Sequence, residues 1–128
     1  MAKSLNGAER QIQVLSQAFR ELKEYFKGSR TRFAVPLDTK GTAFQESVWK
    51  ELRKIPYGKT CSYKDIALRI RNQKAVRAVG SANGENPLCI IVPCHRVIAS
   101  DGSLGGYSAG LRIKTRLLRL EQNTAAIR

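Results

Sequence analysis

Histidine is nearly absent from this chain: among 128 residues there is one, His95. Cysteine is scarce too. Cys61, Cys89 and Cys94 make an odd number with no Cys-x-x-Cys spacing. A structural zinc site needs a set of Cys and His ligands, and a disulfide framework needs paired cysteines, so neither is expected. Three free thiols fit a reducing compartment. No apolar run approaches the roughly 20 residues of a membrane-spanning helix. The N-terminus is polar and basic, without the apolar stretch of a secretory signal. Internal repeats and low-complexity tracts are missing. Acidic residues are few: 10 stand against 23 Lys and Arg, a net charge of +13.

What is present is enough for one domain with a real core, since 42 % of the residues are hydrophobic. The excess of positive charge favours a polyanionic partner, most simply nucleic acid. A membrane surface fits less well, because the basic residues are spread along the chain and not gathered on one amphipathic helix.

Hydrophobic periodicity and capping signals set out the elements. Asn6 and Glu9 have capping-box spacing ahead of Ala8, Ile12, Leu15, Phe19, Leu22 and Phe26, which share one helical face. This helix is expected to stop at Gly28 and to pack on the domain that follows. Ser29 to Lys40 reads as a connector in which Phe33, Val35 and Leu37 alternate. Thr42 and Gln45 cap a second helix through Phe44, Val48, Trp49, Leu52 and Ile55, ended by Pro56-Tyr57-Gly58, with Trp49 in the core. Ser62 and Asp65 cap a third, carrying Ile66, Ala67 and Ile70. After a break at Arg71-Asn72-Gln73, a fourth begins near Lys74 and runs to Ala82, and Asn83-Gly84 reads as a turn. Two short helices around a tight break suggest a helix-turn-helix. The second is built almost wholly of small residues, which suits a backbone pressed against a groove; close packing in the core is the competing explanation. Leu88 to Val92 reads as extended, Val97-Ile98 as a strand stub, and residues 105–110 as a loop. A last helix carries Leu111, Ile113, Leu117, Leu118 and Leu120, with fraying expected after Glu121.

Cys94 stands directly before the one histidine. A cysteine is a strong nucleophile only as a thiolate, and His95 and Arg96 are the local groups that could favour that form. On the dipeptide alone, a buried structural cysteine beside a surface histidine is the simpler reading. The longer stretch Pro93-Cys94-His95-Arg96-Val97 resembles the active-site signature of the O6-alkylguanine-DNA alkyltransferases, the methylated-DNA–protein-cysteine methyltransferases. The resemblance extends in order and spacing over Gly41 to Glu121. It includes Gly41-Thr42-Ala43-Phe44-Gln45, Ile55-Pro56-Tyr57-Gly58, Ser62-Tyr63, Arg77-Ala78-Val79-Gly80, Asn86-Pro87 and Gly105-Gly106-Tyr107-Ser108.

That resemblance implies a mainly α fold: a small helical domain with a winged helix-turn-helix-like DNA-binding element and a short extended active-site segment. Residues 1–40 are then an N-terminal helix and connector, and residues 41–128 the DNA-binding and catalytic domain. Most relatives carry a further N-terminal domain, often metal-stabilised, which this chain is expected to lack. The implied reaction flips an O6-alkylguanine out of the duplex and moves its alkyl group irreversibly to the cysteine, once per protein and with no cofactor. Cys94 would be the nucleophile, His95 its base through a water, and Glu121 the residue that orients His95. Asn86 would tie the active-site turn, Tyr63 would protonate guanine N3, and Lys114 would stand near the site. The carbonyls of Cys94 and Val97 would read the exocyclic amine, with Tyr107 and Ser108 in the pocket loop. Arg77 would be the finger that fills the vacated stack, and Ala78, Ser62, Tyr63 and Arg96 would contact DNA. The fourth helix would enter the minor groove. The implied partner is double-stranded DNA bearing alkylated guanine, bound by a monomer away from membranes. The compartment is cytoplasmic and nucleoid-associated, or nuclear in a eukaryote.

Three other readings compete. A lesion-binding protein of the alkyltransferase-like kind would carry another residue, typically tryptophan, at the cysteine. A helix-turn-helix regulator would make the cysteine incidental. A cysteine hydrolase would turn over many times.

Overall fold

The computed structural model describes residues 6–127, so the first residues of the 1–40 segment, and Arg128, lie outside the described residues. The chain forms two compact units that divide between Asp38 and Thr39.

The first unit is built on α1 (Gly7–Phe26), which begins as its capping signal predicts: the Asn6 side chain accepts from the Glu9 backbone N–H at 2.8 Å. Gly28 follows the helix at φ 79°, a left-handed stop. The face that α1 buries is not the predicted stripe. Ile12, Leu15, Phe19 and Phe26 are exposed, Phe19 by 71 %, and the buried residues are Glu21 and Tyr25. The connector decides this. The backbone N–H groups of Ala34 and Val35 both donate to Glu21 Oε1, at 2.9 and 3.0 Å, and the Tyr25 ring packs on Phe33. Burial alone would raise the Glu21 pKa, but Gln17 and these backbone donors hold it below the usual carboxylate value.

The second unit opens with α2 (Ala43–Leu52), whose Thr42–Gln45 capping box is present in both directions. Val48, Trp49 and Leu52 are buried, and the Trp49 indole N–H donates to the Ala82 carbonyl at 2.8 Å, so Trp49 is a core residue. β1 (Cys61–Ser62) leads into α3 (Tyr63–Arg69), capped by Ser62 and Asp65 as predicted. Arg71 at φ 59° makes the break. A single 3₁₀ turn (Gln73–Ala75) then leads into α4 (Val76–Gly84). α4 buries Val79, Ala82 and Asn83 against its neighbours and leaves Arg77, Ala78 and Ser81 exposed. The small residues thus serve both explanations, close packing on one face and an open surface on the other. Asn83-Gly84 is the last turn of α4 and not a free turn, because Glu85 still donates back to Ser81 and Ala82.

Leu88 to Val92 is not extended. It closes into a turn, with the Val92 N–H donating to the Leu88 carbonyl at 2.9 Å and Ile90 at φ 77°. A 3₁₀ turn (Cys94–Arg96) follows. β2 (Val97–Ile98) then pairs in parallel with β1, Cys61 opposite Val97 and Ser62 opposite Ile98. α5 (Leu111–Ile127) completes the unit and runs past Glu121 without fraying there. The architecture is the expected one: mainly α, with a helix-turn-helix and a minimal sheet. No helix among the described residues is long and apolar enough to cross a membrane.

Candidate active site

Asn86 shapes the approach to Cys94. Its side-chain N–H donates to the Val92 carbonyl at 2.8 Å, and its Oδ1 accepts from the Leu88 N–H at 3.0 Å. One buried amide thus satisfies both ends of the turn, the Leu88 N–H and the Val92 carbonyl. Pro93 and the 3₁₀ turn then carry Cys94, His95 and Arg96 inward. All three are buried. Burial raises the Cys94 thiol to about 11, partly offset by hydrogen bonding from Asn86 and reinforced by the neighbouring Cys89. The resting group is therefore the thiol.

α5 supplies the partners of the next two residues. His95 Nε2 lies 2.6 Å from Glu121 Oε2. Burial would raise the pKa of Glu121, but hydrogen bonds and positive charge from His95 and Arg96 hold it down to about 2. An ionised carboxylate only accepts, so Nε2 carries a proton, and Nδ1 is the ring nitrogen left free to exchange one. That Nδ1 is buried with no hydrogen-bond partner among the described residues.

Arg96, read from sequence as a DNA contact, is instead 6 % exposed and committed to the interior. Its Nε donates to Glu121 Oε1 at 2.7 Å, Nη2 to Oε2 at 3.0 Å and Nη1 to the Ile55 carbonyl at 2.7 Å, and the guanidinium lies over the Tyr57 ring. Consecutive side chains on a 3₁₀ turn diverge by about 120°, so a residue two past the cysteine has different neighbours.

Lys114 is also buried. Its Nζ donates to the carbonyls of Val97 at 2.7 Å, Gly106 at 3.2 Å and, by a still shorter contact, Leu104. Burial lowers its pKa and the charge of Cys94 raises it. It clamps the loop before α5 onto β2, acting as a positioning group with one carbonyl, that of Val97, belonging to a predicted base-reading residue.

A cavity of about 220 Å³ opens beside these groups, lined by Tyr63, Gly80, Asn83, Gly84, Gly106, Tyr107 and Ser108. The Tyr63 hydroxyl is 3.5 Å from the Gly106 carbonyl. Burial and the Cys94 charge raise the pKa of Tyr63, and the same two causes, with Cys89 added, raise that of Tyr107 much further. Gly105 is required here: it sits at φ 70°, and a Cβ would stand 2.8 Å from the Tyr63 hydroxyl. Asn83 went unrecognised in the sequence. It lines the cavity, donates to the Cys94 carbonyl at 3.3 Å and keeps a buried Oδ1 without a partner among the described residues. Nothing local marks it, because its role depends on where α4 ends.

Arg77 and Ala78 stand exposed on α4, and Arg77 makes no ion pair among the described residues. Ser62 is half-buried, its hydroxyl occupied in capping α3. No group of His, Cys, Asp and Glu among the described residues could hold a metal ion.

The family model for the 6-O-methylguanine DNA methyltransferase DNA-binding domain matches residues 43–123, and that for the ribonuclease-like domain of the same enzymes matches residues 1–39. The segment before the catalytic unit, read from sequence as a helix and connector, is therefore similar to part of that domain. The methylated-DNA–protein-cysteine methyltransferase of Methanosarcina barkeri is 55 % identical over 107 residues, covering 84 % of this chain and 68 % of the relative. A crystal structure of Mycobacterium tuberculosis OGT in complex with DNA matches with a TM-score of 0.84 and 53 % identity, over 85 % of this chain and 68 % of that one. S. pombe Atl1 in complex with damaged DNA containing O6-carboxymethylguanine matches with a TM-score of 0.57 and 32 % identity, over 65 % of this chain and 79 % of that one.

Proposed function

The chain belongs to the 6-O-methylguanine DNA methyltransferase family, and we propose that it repairs DNA by taking the alkyl group of a flipped O6-alkylguanine onto Cys94. The observation that carries this reading is the chain of contacts behind the thiol: Cys94 buried, with its carbonyl held by the cavity-lining Asn83, His95 next to it, and Glu121 ionised against His95 Nε2.

A thiol held near 11 must lose its proton before it can attack. His95 Nδ1 is the available base, reached through a water, and Glu121 stabilises the imidazolium that forms. The Cys94 sulfur then bonds to the alkyl carbon as the carbon–O6 bond breaks. Guanine leaves with the electron pair and takes a proton at N3 from Tyr63, whose raised pKa keeps its hydroxyl protonated until that moment. The product is a thioether. Hydrolysing it would need an activated water and a far better leaving group than a thiolate, so each protein acts once. Tyr107 and Ser108 line the base pocket, the carbonyls of Cys94 and Val97 read the amine, and Asn83 and Lys114 hold those carbonyls in place.

Duplex DNA is the substrate that the exposed α4 and the charge of +13 suit. Arg77, exposed on α4, fills the vacated stack in this reading, and the small Ala78 allows close approach to the minor groove. The protein works where DNA and reducing conditions coincide, the cytoplasm and nucleoid or a nucleus. Cys94 favours transfer over lesion binding alone. Intact-mass measurement after incubation with O6-methylguanine duplex separates the two: one methyl per protein, mapped to Cys94 and missing in Cys94→Ser, is expected. Tight binding by the wild type with no gain in mass would overturn the reading.

A further inference from the structure

The repair chemistry leaves Cys89 unused, yet its sulfur lies 4.0 Å from that of Cys94. Extended chain would put residues five apart about 17 Å from each other. The turn at residues 88–92 brings the two thiols together. It does so through Ile90, a β-branched residue held at φ 77°, in the left-handed region where such side chains are strained. Asn86 fixes both ends of that turn. The two sulfurs differ in access: Cys94 is 1 % exposed, whereas Cys89 is only half-buried. An oxidant arriving from solvent therefore meets Cys89 first. Cys61, the third thiol, is buried on β1 and has no sulfur neighbour among the described residues.

We propose that Cys89 and Cys94 are a redox pair, which a hydroperoxide converts to an intramolecular disulfide that withdraws the alkyl acceptor reversibly. The inference about regulation rests on Cys94 being that acceptor. In the first step the Cys89 sulfur attacks the outer peroxide oxygen and the O–O bond breaks. This leaves a sulfenic acid on Cys89 and an alkoxide or hydroxide that takes up the thiol proton. In the second step the Cys94 sulfur attacks the Cys89 sulfur, the S–S bond forms, and the S–O bond breaks. The hydroxide leaves as water with the proton from Cys94. Two thiols and one hydroperoxide thus give one disulfide, one alcohol or water, and one further water. Rotation of the side chains must close the sulfurs by about 2 Å to reach bonding distance. A small thiol reverses the change by exchange and is itself oxidised to a disulfide. Without Cys89, a peroxide reaching Cys94 would carry it to the irreversible sulfinic acid.

Both cysteines fall in the tryptic peptide of residues 78–96, apart from Cys61, and this makes the test direct. The full chain is treated with hydrogen peroxide, alkylated with iodoacetamide without reduction, and digested. The expected peptide carries no label and is lighter by two hydrogens. After dithiothreitol it takes two labels, and methyl transfer is lost and regained in step. A peptide that still takes both labels once transfer is lost, or one carrying sulfinic acid at Cys94 as the main product, would overturn the proposal. Cys89→Ser, compared with itself before oxidation, should lose transfer without recovery in dithiothreitol; full recovery would also overturn it. Prior methylation separates this idea from the repair reading. A methylated Cys94 cannot form the disulfide, so pretreatment with O6-methylguanine duplex should block it. A disulfide that forms regardless would refute Cys94 as acceptor and leave the redox pair standing.

Discussion

Arg96 grips Glu121 through two parallel hydrogen bonds, Nε to Oε1 at 2.7 Å and Nη2 to Oε2 at 3.0 Å. Paired in this way, the carboxylate stays ionised in the interior and can orient the imidazole beside the nucleophile. Arg96→Ala should therefore strand a buried charge and cost about 3–5 kcal/mol of stability, read as a lower denaturant midpoint. Methyl transfer should fall with it, while affinity for DNA changes little. A variant that folds with unchanged stability but binds DNA weakly would restore the surface role.

The same pair sets an acid limit. Glu121 has its pKa lowered from 4.5 to about 2. Its contribution to stability is thus complete above about 4.5 and is lost as the pH falls from there towards 2. The effect is of order 3 kcal/mol, at about 1.4 kcal/mol per pKa unit. Urea unfolding followed across that range should show a steep loss for the wild type and a flatter profile for Glu121→Gln. Parallel profiles would mean that the carboxylate is not held down in the folded state.

Arg77→Ala should damage repair of duplex DNA much more than reaction with the free alkylated base. Arg77 stands exposed on α4, whereas the nucleophile is held by a separate turn. Holding a base out of the stack costs a few kcal/mol, and a free base owes none of it. Equal losses on the two substrates would make Arg77 a support of the fold, and the finger role would be abandoned.

Binding to undamaged duplex should depend steeply on salt and little on sequence. The charge is +13, and the exposed part of α4 offers mainly small side chains that cannot read base edges. With about six phosphate contacts, affinity should drop about a thousandfold between about 50 and 200 mM salt. A shallow titration would argue against an interface dominated by phosphates.

Short-range interactions were legible in the sequence because both partners lie within one helical turn. The caps of α1, α2 and α3 are (i, i+3) contacts, and each forms as written. The break between α3 and α4, and the loop that carries Tyr107, are likewise marked by local composition. The stretch around Cys94 pointed to the proposed chemistry through its resemblance to the alkyltransferase signature, since the Cys94-His95 pair alone favours a structural cysteine. Tertiary structure alone decided the rest, because the deciding partners are distant in sequence. Glu121 is an ordinary helical carboxylate until α5 carries it to His95 and Arg96, 26 and 25 residues away. Once that pair is buried, Arg96 is no longer available to DNA. Asn83 becomes part of the cavity because α4 continues two residues past the predicted stop, to Gly84. The stripe on α1 was readable as apolar, but which face is buried was set by the connector's N–H groups meeting Glu21. The closeness of Cys89 to Cys94 depends on a backbone angle at Ile90 that no propensity would assign to a β-branched residue, and only the packed turn around Asn86 can hold it there.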